Sequence, residues 1–372
     1  MNKKPFFSVL IPTKNRSHII KYAIESVLSQ DFEDFEIIIM DNDDSNNTYE
    51  SVNKFNDHRI KYFKSGNLNM AENWEAALHQ ANGLYVTVLE DKHVYYSYAL
   101  KSIYNYINDF KKDIIVWDWD HYDENNHNGY HYNRSRKAYE MTSDQILNDY
   151  VSLISEGCKN LPRMINACAS NEVIQKAINK SNDRSFFTEL SPDLNAAFSL
   201  LAVGESVLIV EISLGLGGYS NLSNAKKIRT KGYDYYGNLR NKKMHYTPIK
   251  SMILTYNTVY NDFLRLKDSF SNSNLDKHTM TNLTYCCVCL WDAIRIYSST
   301  KSFRSLFNEL PPIFSYIRKS NFGLSKYKIP FLLFKVIFKS VVNRVNVRYK
   351  SKEYYAKDIY LATKNRPSSS LK

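Results

Sequence analysis

The chain has 372 residues, 44% hydrophobic and 23% charged, which is enough apolar material for a packed core and too much for general disorder. Five cysteines (Cys158, Cys168, Cys286, Cys287, Cys289) supply neither a disulfide framework at this length nor the paired spacing of a structural zinc site, and they point to a reducing, cytoplasmic setting. The net charge is +11; Phe6 to Pro12 is too short for a signal peptide's apolar core, and no run of about 18 uncharged apolar residues offers a spanning helix.

The first 120 residues alternate strand and helix signals. Phe7 to Pro12 is a short apolar run of the buried-strand kind, and Ile19, Ile20, Ala23, Ile24, Val27 and Leu28 form one helical stripe. A second apolar run, Phe35 to Met40, is closed by the polar cluster Asp41 to Ser45. A helix through Val52 and Phe55 leads to a strand at Ile60 to Phe63. A helix over Met70 to Ala81 stops at Gly83, before a strand at Leu84 to Leu89. Helix Tyr98 to Phe110 and strand Ile114 to Trp119 complete the series. This rhythm predicts an α/β fold, a mostly parallel sheet flanked by helices.

After residue 120 the rhythm weakens. Asp120 to Lys137 reads as an exposed polar loop. Helices are expected near 143–156, 171–180 and Pro192 to Val203, and a strand at Val207 to Ile212. Gly215, Gly217, Gly218, Gly232 and Gly237 predict an adaptable loop over 215–237. Two helices fit Pro248 to Tyr297. No internal repeat is present.

Ligands of open parallel sheets bind beyond the carboxyl ends of the strands. Those ends carry Thr13 to Arg16, Asp41 to Asp44, and Glu90 to His93. Acids dominate two of the three, and neither GxGxxG nor GxxxxGK[ST] occurs. Acids in these places suit hydrogen bonds to a base and ribose, with a divalent cation carrying a diphosphate. On their own, Asp41 to Asp44 also fit a turn or a helix cap, and Asp91 and Asp193 fit first-turn roles.

The stretches FSVLIPTKNR (7–16), EIIIMDNDDS (36–45), NMAENWEAALHQANGLYVTVLEDKH (69–93) and LSPDLNAAF (190–198) together resemble family 2 glycosyltransferases of the GT-A fold, over roughly residues 6–225. The resemblance implies a Rossmann-like nucleotide-sugar-binding catalytic domain at 1–235; helical patterning and charge add a helical extension at 236–300 and a basic amphipathic segment at 301–372. It implies an inverting transfer from a nucleotide sugar to a saccharide acceptor, lipid-linked, in capsule, O-antigen or other surface-polysaccharide synthesis. Pro12, Thr13, Asn15 and Arg16 match the loop around the base, and Asp41 the carboxylate that accepts from it. Asp43, Asp44 and Asn73 join the nucleotide-binding residues. Asp91 matches the first acid of the DxD element, which contacts ribose and metal. Its third position is His93 where the family has an acid, which favours Mn²⁺ over Mg²⁺. Asp193 matches the general base, with Glu189 as the fallback.

Other features have blander readings. Asp118-Trp119-Asp120 is a literal DxD, but it lies one strand too late. His121, His127 and His131 fall in the polar loop, and Cys286, Cys287 and Cys289 in an apolar helical pattern. Lys301 to Lys372 hold 16 basic and three acidic residues, +13, and the other 300 hold 33 and 35, −2. In Phe331 to Val347, Lys335, Lys339, Asn343 and Asn346 form one stripe, which suggests an anionic membrane surface or a docked helix. The protein would then be peripheral on the inner face of the membrane. A nucleotidyltransferase shares such a sheet but needs a Gly-rich loop after strand one, and Pro12 to Arg16 has no glycine. A nucleic-acid-binding protein and an inactive relative complete the alternatives; acidic strand ends give nucleic acid no purpose, so none is expected as a partner.

Overall fold

The computed structural model describes residues 4–152, 159–188, 191–219, 244–301, 303–320, 327–334, 337 and 351–364. The chain divides into two compact units. The first takes in Met1–Ser143, Asn160–Ser220 and Ser351–Lys372, and the second Asp144–Lys159 and Asn221–Lys350. The expected boundaries at 235 and 300 both fall inside that last segment.

The first unit is α/β. Its opening run is β1 (Phe7–Thr13), α1 (Ser17–Leu28), β2 (Phe35–Asp41), α2 (Asn47–Val52), β3 (Ile60–Lys64), α3 (Met70–His79) and β4 (Tyr85–Val88). All seven residues of β1 and of β2 are buried, as strands covered on both faces must be. Neighbouring strands run β3, β2, β1, β4, all parallel. After β3 the chain returns to the far side of β1, so a topological switch lies between β1 and β4. Val9, Ile11, Ile20, Ile24, Val27, Ile37 and Ile39 pack into one core over these strands.

The rest of the sheet is mixed: one long pairing is parallel and the others are antiparallel. It consists of β5 (His93–Tyr95), β6 (Ile114–Asp123), β7 (Asn128–Tyr132), β8 (Ala138–Thr142), β9 (Ala167–Ser170) and β10 (Ser206–Tyr219), with α4 (Ala99–Phe110) between β5 and β6. The short β9 pairs antiparallel with both β4 and β6. The expected loop at 120–137 instead holds the end of β6 and a hairpin to β7. Its polar character comes from a buried network. Asp120, fully buried, accepts from Tyr96 Oη at 2.7 Å and Tyr132 N at 3.0 Å, and lies 2.9 Å from His131 Nδ1.

α5 (Ser143–Ser152) leads into the second unit, and α6 (Asn171–Lys180) and α7 (Pro192–Val203) belong to the first. The second unit continues with α8 (Thr255–Ser269), α9 (Asn282–Thr300) and α10 (Phe303–Lys319). It packs around Tyr260, Phe263, Tyr285, Cys286 and Cys289, all buried. Burial pushes the Cys286 thiol up to about 12, so these cysteines are packing groups, as expected.

The end of the chain returns to the first unit. β11 (Ser351–Tyr355) pairs antiparallel with β7, and α11 (Ile359–Lys364) follows. Tyr354 stacks on His131 at 4.3 Å and fills the space above Gly129, where a Cβ would lie 2.1 Å from its ring. Most of the helix expected over 331–347 lies outside the described residues.

Candidate active site

The carboxyl ends of β1 and β4 meet at the topological switch, and Asp91 spans them. It is 3% exposed; one oxygen accepts from Thr13 Oγ1 at 2.8 Å and the other from Arg16 Nη1 at 2.6 Å. Burial pushes its carboxyl up from the ordinary value, against the pull of Arg16. Pro12 is buried at the end of β1, whereas Asn15 is exposed at φ 56°, a left-handed conformation that asparagine tolerates.

At the end of β2, Asp41 is fully buried. Its oxygens accept from Tyr62 Oη at 2.7 Å and Asp43 N at 3.0 Å, and burial raises its pKa. Asp43 accepts from the backbone N–H and hydroxyl of Ser45, both at 3.0 Å, so it holds the turn. Asp44 is exposed. Asn73 braces the strand end from α3, donating to Met40 O at 3.2 Å and accepting from Ser65 Oγ at 2.6 Å.

Asp91 is engaged by Thr13 and Arg16, and His93 stands beside Glu90. His93 Nε2 lies 3.4 Å from Glu90 Oε2, and Lys92 Nζ lies 2.9 Å from Glu90 Oε1. Burial would raise Glu90, but Lys92, His93 and Arg16 hold it at about 2. Burial drives His93 down to about 4 despite Glu90. The pair is therefore a carboxylate beside a neutral imidazole, the protonation states in which both groups can ligate a metal. His93 Nδ1 is buried without a hydrogen-bond partner, and the ring lies 5.2 Å from Trp119. Among the described residues no three His, Cys, Asp or Glu side chains gather as a metal cage.

The glycines expected to form a loop explain how this corner closes. β10 runs past β5 and Trp119, and a Cβ at Gly215 would lie 2.4 Å from the Trp119 ring. At Gly218 it would lie 2.1 Å from Lys92 O. These glycines mark a strand passing close to the site. The rest of the expected loop, from residue 220, lies outside the described residues.

Asp193 sits in the first turn of α7, directly after Pro192. Arg163 Nη1 lies 3.9 Å from its Oδ2. Burial raises the Asp193 pKa, Arg163 lowers it and Glu90 raises it, so Asp193 lies in the field of the Glu90–His93 corner. Sequence reasoning missed Arg163, which stands in a tight turn where Arg163 N donates to Leu161 O at 2.9 Å and Met164 has φ 48°. Its Nε is buried and unpartnered. Pro162 was the only local hint. Glu189 lies outside the described residues. The rival DxD is engaged elsewhere, Asp120 in its network and Asp118 3.4 Å from Arg134.

Residues 8–168 match the family described as Glycosyl transferase family 2. The match covers the switch point and the ends of β1, β2 and β4. A Campylobacter jejuni relative, a GalNAc(5)-diNAcBac-PP-undecaprenol beta-1,3-glucosyltransferase, is 38% identical over 109 residues, 28% of this chain and 35% of that protein. An Escherichia coli relative, the UDP-Glc:alpha-D-GlcNAc-diphosphoundecaprenol beta-1,3-glucosyltransferase WfgD, is 30% identical over 95 residues, 25% of this chain and 38% of its own. The chain thus spans less than half the length of either. The solved structure of Staphylococcus aureus TarS 1–349 with UDP-GlcNAc aligns over 83% of this chain and 79% of its own, at 15% identity and a TM-score of 0.49.

Proposed function

We propose that the protein is an inverting GT-A glycosyltransferase that moves a sugar from a nucleotide sugar to a saccharide acceptor in surface-polysaccharide synthesis. The observation that carries this reading is the topological switch between β1 and β4, whose strand ends lie inside the segment matching family 2. There Asp91 fixes the Thr13–Arg16 loop, and Asp193 feels Glu90 from the opposite element. Asp41 receives the base, with Asp43 and Asn73 holding its strand end; Pro12 lies at the end of β1, Asn15 just after it and Asp44 just after β2. Two relatives are named for diphospho-undecaprenol acceptors, and a lipid-linked saccharide is the acceptor we infer here.

Asp193 takes the proton of the acceptor hydroxyl as that oxygen bonds to the anomeric carbon and the carbon–oxygen bond to the diphosphate breaks. Arg163, 3.9 Å from Asp193, positions it and favours its ionised form against the effect of burial. Glu90 and His93 would hold a divalent cation, Mn²⁺ in preference to Mg²⁺ because one ligand is an imidazole; its chemistry is to neutralise a diphosphate. Asp91, engaged by Thr13 and Arg16, shapes the nucleotide loop beside it. The buried thiols of Cys168, Cys286, Cys287 and Cys289 suit a reducing interior, so we place the reaction at the cytoplasmic face of the membrane. Replacing Asp193 by Asn tests the assignment: turnover should fall by about 10²–10⁴ while nucleotide binding persists. Near-normal turnover would remove Asp193 as the base.

A further inference from the structure

The second unit leaves large aromatic side chains in water. Phe307 is 75% exposed and Phe314 51% on α10, and Tyr327, Phe331 and Phe334 are 71%, 70% and 64% exposed beyond it. Seven residues of helix bring Phe307 and Phe314 to one face, about 10 Å apart. Pro311 and Arg318 fall on the same stripe and are also exposed. The opposite face carries Glu309 and Ile313, both buried, and Tyr316, which packs edge-on against Tyr285 at 5.7 Å. The outer stripe of α10 thus presents two phenylalanines and a proline ahead of Arg318, where a surface helix ordinarily carries mostly polar and charged side chains.

The charges around this stripe have one sign. Among the described side chains of residues 301–334, Lys301, Arg318, Lys319 and Lys328 are exposed, and the single acid, Glu309, is buried. Exposed Phe side chains have no hydrogen-bonding tip to satisfy, so they can enter a hydrocarbon boundary at no polar cost. Cations beside them meet phosphate at the depth of lipid headgroups. A protein partner would need an apolar face with an acidic rim; an anionic bilayer offers both over any area.

We propose that α10 docks the protein on an anionic lipid bilayer, with Phe307, Pro311 and Phe314 entering the headgroup boundary and Arg318 and Lys319 on the lipid phosphates. Tyr327 to Phe334, with Lys328, supplies a second contact of the same kind. Because this rests on α10 and not on the nucleotide site, it can fail while the transferase reading stands.

The test is co-flotation of the full chain, without donor or acceptor, with vesicles of phosphatidylcholine alone or with about 30% phosphatidylglycerol. Wild type should float with the anionic vesicles and stay behind with the neutral ones. Phe307→Ser/Phe314→Ser and Arg318→Glu/Lys319→Glu should each lower anionic partitioning by about tenfold or more, with unchanged thermal melting, since all four side chains are exposed. A wild type that ignores anionic vesicles would overturn the proposal, as would a serine variant that binds them equally well. A wild-type dimer that the serine variant dissociates, without vesicle binding, would assign the stripe to a second copy. Retention on duplex DNA in place of vesicles would also overturn it.

Discussion

Arg16 Nη1 stands 2.6 Å from Asp91 Oδ1, across the gap between the ends of β1 and β4. Asp91 is 3% exposed and Arg16 20%, so neither charge is fully shared with water. Arg16→Ala leaves a nearly buried carboxylate without its cation. It should lower stability by about 3 kcal/mol in urea unfolding. Arg16→Met/Asp91→Asn, which removes both charges, should cost less. A double variant that loses as much as Arg16→Ala would show that the stranded Asp91 charge is not what the single change costs.

Asp41 is predicted to accept from the base. Asp41→Ala should weaken binding of the nucleoside diphosphate by about 1.5–3 kcal/mol in calorimetry, the range for a hydrogen bond to a charged group. Part of any stability change comes from Tyr62, which loses its acceptor. Tyr62→Phe separates the two effects, since it should affect melting more than affinity.

Asp193 works as a base only when ionised, and burial raises its pKa above the ordinary carboxylate value. kcat/KM should therefore rise with pH through an inflection above that of a free aspartate. Arg163 pulls the pKa down, so Arg163→Ala should move the inflection to higher pH, and Arg163→Lys should move it partly back. An unmoved inflection in Arg163→Ala would make Arg163 a packing residue.

Gly83 looked like a helix stop in the sequence, but its environment is more demanding. A Cβ there would lie 2.5 Å from Ser8 N, and Gly83 N donates to Ser8 Oγ at 2.8 Å. Ser8 in turn donates to Glu36 Oε1 at 2.6 Å, so Gly83→Ala should push β1 away from its partner. The expected loss is about 1–3 kcal/mol, read as a lower melting temperature.

The parallel half of the sheet was legible because β1, β2 and β4 are dense apolar runs and α1 carries an apolar stripe. The mixed half was not. Ala167 to Ser170 is four small residues with no pattern, and β7 reads as a loop because its polar side chains are paired inward, His131 with Asp120. The acids of the site were visible at their strand ends, but their partners were not. His93 Nε2 lies 3.4 Å from Glu90 Oε2, a contact set by the turn after β4 that the sequence pattern does not give. Arg163 was invisible because it reaches Asp193 over thirty residues of chain, through a turn with no regular pattern.

The central claim is that the switch between β1 and β4 binds a nucleotide sugar. Its most direct test is a calorimetric panel of nucleoside diphosphates and their sugars, with Mn²⁺ and with EDTA, on wild type, Asp41→Ala and Asp193→Asn. One nucleotide sugar should bind wild type and Asp193→Asn alike, more tightly with Mn²⁺, and bind Asp41→Ala at least about tenfold more weakly. A folded wild type that binds none of them, with or without metal, would contradict the account.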